Sequence, residues 1–151
     1  MENVKQEPCV FCNIISRAQP RIVYEETDEI IVIKKKDKPR KIDLPVNILI
    51  IPKKHIANIK YLNPVDTYDS SIMSKMVFMA QFISRQLTGN GDFWVSLNNG
   101  PKAKQTVFHM HMHFKSWEKW PGKIHQMQTQ PLTLDTIEVL SNPYKIGGEN
   151  T

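Results

Sequence analysis

Hydrophobic positions along the chain follow two rhythms, one near a period of two and one near 3.6. Arg21 to Glu26 and Glu29 to Ile33 are short β-branched segments separated by Thr27-Asp28, which predicts a hairpin. Val46 to Ile51 is nearly continuous in apolar residues and predicts a further strand, stopped by Pro52, which has no N–H to give a sheet interior. Asn63-Pro64 predicts a helix start, with Asn as the cap and Pro at the first helical position. Apolar residues then recur at Val65, Tyr68, Ile72, Met76, Met79, Ile83 and Leu87, one face of a long helix with its methionines as core filler. Gly89 and Gly91 end it. Phe93 to Leu97 and Val107 to Phe114 predict two more strands, joined by the loop Asn98 to Lys104. Three strands, a helix and two strands predict an α+β fold with a helix packed on an antiparallel sheet.

Beyond Trp117 the pattern fades into prolines at 121, 131 and 143, a short helical turn near Leu134 to Leu140 and a polar tail from Gly147. Trp117 and Trp120 read as packing residues or as a lid over a substrate or partner. There is no internal repeat. At 151 residues, 40% hydrophobic and 23% charged, the chain has the balance of one ordinary globular domain, which excludes disorder and collagen-like repeats. Its longest aliphatic runs, Ile30 to Ile33 and Ile48 to Ile51, fall far short of the roughly 18–20 residues that span a bilayer. Met1 to Pro8 carries Glu2, Lys5 and Glu7 with no apolar stretch, so the expectation is a cytoplasmic, reducing setting, with the nucleus as an alternative.

Charge changes the picture at one place. The net charge is +5, and Lys34 to Lys41 holds six of the 20 bases and one of the 15 acids, leaving 14 of each elsewhere. That loop reads as a solvated turn or as a guide for a polyanion, nucleic acid included.

The chemistry concentrates in two motifs. Val107 to Phe114 (VFHMHMHF) alternates strictly, so a strand would put His109, His111 and His113 on one face and Phe108, Met110, Met112 and Phe114 on the core face. A row of three imidazoles is hard to explain by packing, because each ring nitrogen wants a partner and protonated rings repel. It suits metal ligation, or catalysis on a phosphate or acyl group. Cys9 and Cys12 add two thiolates at finger-like spacing, and the five histidines offer the further ligands of a tetrahedral zinc site; a redox pair or two buried thiols are the alternatives.

Cys9-Val-Phe-Cys-Asn-Ile-Ile, Ile-Ile-Pro-Lys-Lys-His55-Ile, Leu-Asn-Asn-Gly100 and Gln105-Thr-Val-Phe-His-Met-His-Met-His-Phe occur in the order and approximate spacing of the histidine triad (HIT) superfamily. The chain resembles its Hint branch from about residue 9 to 115. The resemblance implies a HIT domain over residues 1–116 and a divergent segment over 117–151. It also implies a five-stranded antiparallel sheet with a long helix, a homodimer, and an enzyme that cleaves a purine nucleoside 5′-phosphoryl group from an amine, phosphate or nucleotide. His111 matches the nucleophile that forms a nucleotidyl-imidazole, and His113 the third histidine that orients it. Gln105 and Thr106 match the pair donating to phosphate oxygens or the leaving group, and Asn98 an asparagine of the same pocket. Cys9, Cys12, His55 and His109 match a structural zinc site, with no catalytic metal expected; His125 matches nothing and reads as a surface residue.

Three positions depart from the pattern. Asn47 stands where a fourth active-site histidine is usual, and an amide hydrogen-bonds but does not exchange a proton near neutrality. Lys34 stands where an aspartate holds the ribose hydroxyls; Asp37 or Asp43 could take over, or the basic loop, longer than usual, could grip extra phosphates. Lys115 replaces the last apolar residue of the triad motif. Two other functions therefore stand beside the hydrolase: a HIT scaffold that binds nucleotides or a protein with little turnover, and a factor processing adenylated or capped nucleic-acid ends.

Overall fold

In a computed structural model that describes residues 8–36 and 44–120, the predicted hairpin forms first. Thr27 closes it, its hydroxyl accepting from the N–H groups of Glu29 and Ile30 (3.2 and 2.9 Å) while its own N–H reaches Ile30 O (2.8 Å). The strands so joined are β1 (Val23–Glu26) and β2 (Ile30–Lys34). They are followed by β3 (Val46–Pro52), the helix α2 (Thr67–Ser84), β4 (Trp94–Ser96) and β5 (Met112–Ser116). A short helix α1 (Val10–Ile15), which hydrophobic periodicity does not announce, precedes them all. The strands form one antiparallel sheet in the order β1-β2-β3-β5-β4.

The sheet divides the molecule into two cores. Ile30, Val32, Val46, Ile48, Ile50, Met112 and Phe114 point to one face and pack against Ile72, Met76, Met79 and Ile83 of α2. Ile31, Ile33, Leu49 and Ile51, from the alternate positions, point to the other face and pack against Phe11 and Ile14 of α1. The methionines of α2 are core filler, as the spacing predicts.

Three boundaries differ from the prediction. Asn63-Pro64 makes a turn ahead of α2, the Asn63 side chain accepting from Val65 N–H (3.1 Å). The cap is Asp66, whose carboxylate accepts from Asp69 N–H (2.9 Å). Val65 consequently lies outside the helix and is 88% exposed rather than on its buried face. The helix also closes at Ser84, before the glycines, with Arg85 as C-cap; Leu87 stays buried beyond it. The last strand begins at Met112, not Val107. Continuing the β3–β5 register would set Met110 opposite Pro52, which has no N–H for the ladder; Met110 N–H bonds instead to Ile56 O (2.6 Å). The chain from 107 to 111 is thereby drawn off the sheet, and the histidine row bends.

Trp120 packs, its ring centroid 5.0 Å from that of Tyr24 and its Nε1–H donating to Gln86 Oε1 (3.2 Å), while Trp117 is exposed. Asp37, Asp43, His125, most of the basic loop and nearly all of 117–151 lie outside the described residues. Among the described residues, no helix is long and apolar enough to cross a membrane.

Glu25 is 5% exposed, its Oε2 is buried without a hydrogen-bond partner among the described residues, and burial pushes its carboxyl up to about 7. The folded state therefore holds this proton more tightly than the unfolded chain, and stability is lost as pH rises from about 4.3 through 7. Glu25→Gln is expected to flatten that loss in urea melts at pH 5 and pH 8. Ile50→Ala should cost about 2–5 kcal/mol in the same assay, and Val65→Ser less than about 0.5 kcal/mol.

Candidate functional site

Cys9 caps α1, its Sγ accepting from the backbone N–H of Cys12 (3.4 Å), so the first turn of this helix presents both thiols on one side; neither is in a disulfide. His55 follows the end of β3, and His109 stands in the segment drawn off the sheet. Cys9 Sγ lies 3.5 Å from His109 Nδ1, Cys12 Sγ 3.3 Å from His55 Nδ1 and 3.5 Å from His109 Nδ1, and all four donor atoms fall within 4.8 Å of one another. In a tetrahedral zinc site with Zn–S near 2.3 Å and Zn–N near 2.05 Å, the S···N edges are roughly 3.6 Å. The four side chains fit that metal with little adjustment, and their donor set is that of a structural zinc.

The state of His109 agrees. It is fully buried, and burial brings its imidazole down to about 4, so the ring is neutral at physiological pH. Its Nε2–H donates to Pro52 O (2.7 Å), which leaves the Nδ1 lone pair turned to the thiols. Four protein ligands fill a tetrahedral zinc, so the group braces α1, the end of β3 and the histidine segment together.

From that brace the triad extends. His111 Nδ1 lies 2.7 Å from His109 O, and since a carbonyl only accepts, Nδ1 carries the proton and Nε2 the lone pair. Burial holds the His111 imidazole below its ordinary value, and the positive charge of Lys35 adds to that effect against the hydrogen bond to His109 O. The ring meets Phe11 of α1 edge-on (centroids 5.1 Å, 73°) and His113 at 5.1 Å and 67°. His113, opposite Leu49 and Ser96 in the sheet, lies on the α1 face with Asn47 and Lys115, which oppose each other. The three triad residues thus do not form one flat row: His109 turns inward to the thiols while His111 and His113 stay half-buried.

Gln105 and Asn98 occupy the loop beside the triad. Gln105 is buried and all its hydrogen-bonding capacity is spent on the protein: Nε2 donates to Ala57 O (2.7 Å) and Val107 O (3.0 Å), and Oε1 accepts from Asn58 Nδ2 (3.0 Å) and Gly100 N (2.8 Å). Gly100 holds φ +95°, a conformation that favours glycine, to aim its N–H there. Asn98 spans the same loop through Nδ2 to Ala103 O (2.7 Å), and Thr106 is exposed. Asn47 keeps a buried Oδ1 with no hydrogen-bond partner among the described residues. Sequence reasoning passed over Phe11 and Asn58, and read Lys35 only as one base of the Lys34 to Lys41 run. The Phe between the two cysteines was a visible signal for the first; Asn58 had none.

Comparison with known proteins places these features. The family profile described as "Scavenger mRNA decapping enzyme C-term binding" matches residues 8–128. An uncharacterized HIT-like protein of Synechocystis is 31% identical over 76% of this chain and 96% of its own. The adenylylsulfatase HINT1 of Arabidopsis thaliana is 27% identical over 76% of both chains. A solved HIT family hydrolase from Clostridium thermocellum superposes with TM-score 0.61 at 30% identity, covering 83% of this chain and all of that one.

The purified protein is expected to carry about one zinc per chain, and Cys12→Ser to lose it, with a Tm several degrees lower, checked by elemental analysis and calorimetry. With the profile match, the shared sheet and the Cys2His2-braced triad in agreement, the chain belongs to the histidine triad superfamily.

Proposed function

We propose that the α1 face of the sheet is the active site of a hydrolase or nucleotidyl transferase that cleaves a purine nucleoside 5′-phosphoryl group from an amine or from an anhydride oxygen. The observation that carries this reading is the hydrogen bond from His111 Nδ1 to His109 O, which leaves Nε2 as an unprotonated nucleophile on a half-buried ring. The Nε2 lone pair attacks the α-phosphorus, the bond from phosphorus to the leaving group breaks, and the leaving group departs with a proton. Water then breaks the P–N bond of the nucleotidyl-histidine, releasing the nucleoside monophosphate and restoring the imidazole. Tautomer selection by a fixed carbonyl keeps His111 ready for each cycle without deprotonation.

His113 holds and returns the proton beside the nucleophile. Thr106 and Asn98 donate to the phosphoryl oxygens, at about 3 kcal/mol for a well-aimed donor. Gln105, fully engaged within the protein, acts by positioning the Gly100 to Thr106 loop. Asn47 offers its Oδ1 to a hydroxyl or ammonium donor of the substrate, a hydrogen-bonding role in place of proton exchange. When bound, zinc supplies the crosslink that fixes His109. The reading is also supported by the names of the relatives, a hydrolase and an adenylylsulfatase. A second reading, processing of nucleic-acid ends in the cytoplasm or nucleus, draws on the decapping description of the matched profile and the basic loop.

We propose in addition that two copies pair through β4. This edge strand exposes Trp94 and Val95, Phe93 is exposed ahead of it, and α2 exposes Val77 and Phe78. An apolar edge with unsatisfied ladder groups is an interface for an identical edge.

Under single-turnover conditions, wild-type protein should release AMP from adenosine 5′-phosphoramidate, adenosine 5′-phosphosulfate or diadenosine polyphosphates, and His111→Ala should lower the rate at least about 1,000-fold. Nucleotide affinity with turnover indifferent to that substitution would establish a binding module instead. Retardation of RNA at low salt, lost on exchanging Lys34, Lys35 and Lys36 for Ser, is the outcome the second reading requires. Light scattering should give a dimer for the wild type and a monomer for Val95→Glu, which buries a charge at the paired edge.

A further inference from the structure

The segment that leaves β3 is fixed residue by residue, each to a different element. Pro52 O accepts from His109 Nε2–H (2.7 Å), Lys53 Nζ pairs with Glu26 Oε1 of β1 (2.8 Å), Lys54 Nζ pairs with Asp69 Oδ1 of α2 (2.6 Å), and His55 Nδ1 turns to Cys12 Sγ. The other oxygen of Glu26, Oε2, accepts from Arg17 Nη2, one residue beyond the C-cap of α1. Glu26 is 6% exposed and opposes Ile31, which in turn opposes Ile51, so its carboxylate stands on the α1 face of the sheet. A carboxylate buried this deeply needs a partner for each oxygen. It finds one on each of two elements that supply metal ligands, α1 and the 52–55 segment.

Arg17 stands where a helix commonly ends in glycine. Its φ is +67°, its N–H donates to Ile14 O (3.1 Å), and Gln19 N–H donates to Asn13 O (3.1 Å). A side chain in this left-handed conformation costs backbone energy, so the position favours glycine unless the side chain makes a contact that offsets the strain. The guanidinium makes that contact, with Glu26. The six residues of α1 span only about 9 Å, and the helix is held at its first turn by the two thiols and just past its last by Arg17. Two elements are thus joined twice, Cys12 to His55 across the metal site and Arg17 to Lys53 across Glu26. Closing either junction lowers the entropic cost of closing the other.

We infer that Glu26 is a positioning residue for the zinc site: by bridging Arg17 and Lys53 it holds α1 and the segment carrying His55 at the separation the metal requires. Its hydrogen bonds go to those two cations and not to a ligand, so it acts on the metal through the placement of Cys12 and His55. By linkage, zinc tightens the clasp as much as the clasp tightens zinc. The proposal rests on the Cys2His2 site alone and holds for any substrate. The pair Lys75–Glu29 (2.6 Å) provides a contrast, since it joins α2 to the β1–β2 turn and includes neither α1 nor the 52–55 segment.

The test is competition for zinc between the full chain and a chromophoric chelator at neutral pH, for wild type, Glu26→Gln, Arg17→Gly, the double variant and Lys75→Met, with urea melts of each zinc-free protein. Glu26→Gln is expected to weaken zinc binding about 10-fold and to speed its release. Arg17→Gly should weaken it several-fold even though glycine relieves the left-handed backbone, and Lys75→Met should leave it unchanged. The double variant should lose less than the product of the two single effects, because both act through one contact. Where Glu26→Gln does not fold, Arg17→Gly decides, since its φ suits glycine. Zinc affinity within about twofold of wild type in both single variants, against the 10-fold expected of a supporting residue, overturns the positioning role. A lower urea midpoint in that case makes the pair a stability contact only. Weakening by Lys75→Met equal to that by Glu26→Gln overturns it as a general effect of destabilisation, and single effects that multiply in full overturn the shared clasp. A wild-type chain that holds no zinc overturns the metal site, and the positioning role with it.

Discussion

The imidazole of His109 is tied in three directions, and the site takes its shape from them. Nδ1 faces the two thiols presented by α1, Nε2–H is fixed to the carbonyl of Pro52 at the end of β3, and the residue's own carbonyl receives the proton of His111 Nδ1. A ring held at both nitrogens inside a dry core has no second orientation of comparable energy. Loosening it would release the helix that carries Phe11, the strand end that bends the histidine segment, and the tautomer of His111 together. Metal ligation and the tautomer of His111 are thus set at two ends of one side chain and its peptide group, so a metal held by the Cys2His2 set also fixes the state of the neighbouring imidazole.

Pro52 is the other half of this arrangement. Lacking an N–H, it ends the β3–β5 ladder where a strictly alternating sequence would have continued it, and its carbonyl is then spent on His109. Period-two patterning in VFHMHMHF correctly separates the buried Met110, Met112 and Phe114 from the histidines, yet strand geometry alone misplaces His109, because the pattern records which side is apolar and not where the backbone leaves the sheet. The same limit explains α2. Its buried face is legible from the spacing of Ile72, Met76, Met79 and Ile83, whereas the start depends on a competition between two capping side chains, Asn63 and Asp66, which sequence spacing does not rank.

The four metal ligands were legible because thiol and imidazole spacing is constrained by the metal itself, and family motifs supplied the matching. Gln105 shows the opposite case. Its residue type fits a phosphate donor, but four bonds to Ala57, Val107, Asn58 and Gly100 consume it, and those partners are up to 48 positions away in the chain. Lys35 was visible only as one base in a basic run. Its place on one face with Asn47 and Lys115 follows from the registers of β2 on β3 and β3 on β5, long-range facts that no local reading contains.

The two faces of the sheet are separated by parity. In β2, β3 and β5 the even-numbered residues feed the core under α2, and the odd-numbered ones face α1 and the histidines. Deleting or inserting a single residue within any of these strands would exchange the two sets, carrying His113 or Asn47 into the apolar core and an isoleucine or phenylalanine into the site. Point substitutions can accumulate on the α2 face without touching the chemistry, but changes of length are confined to the connections between strands. The one between β2 and β3, where the positive charge of the sequence collects, is such a connection.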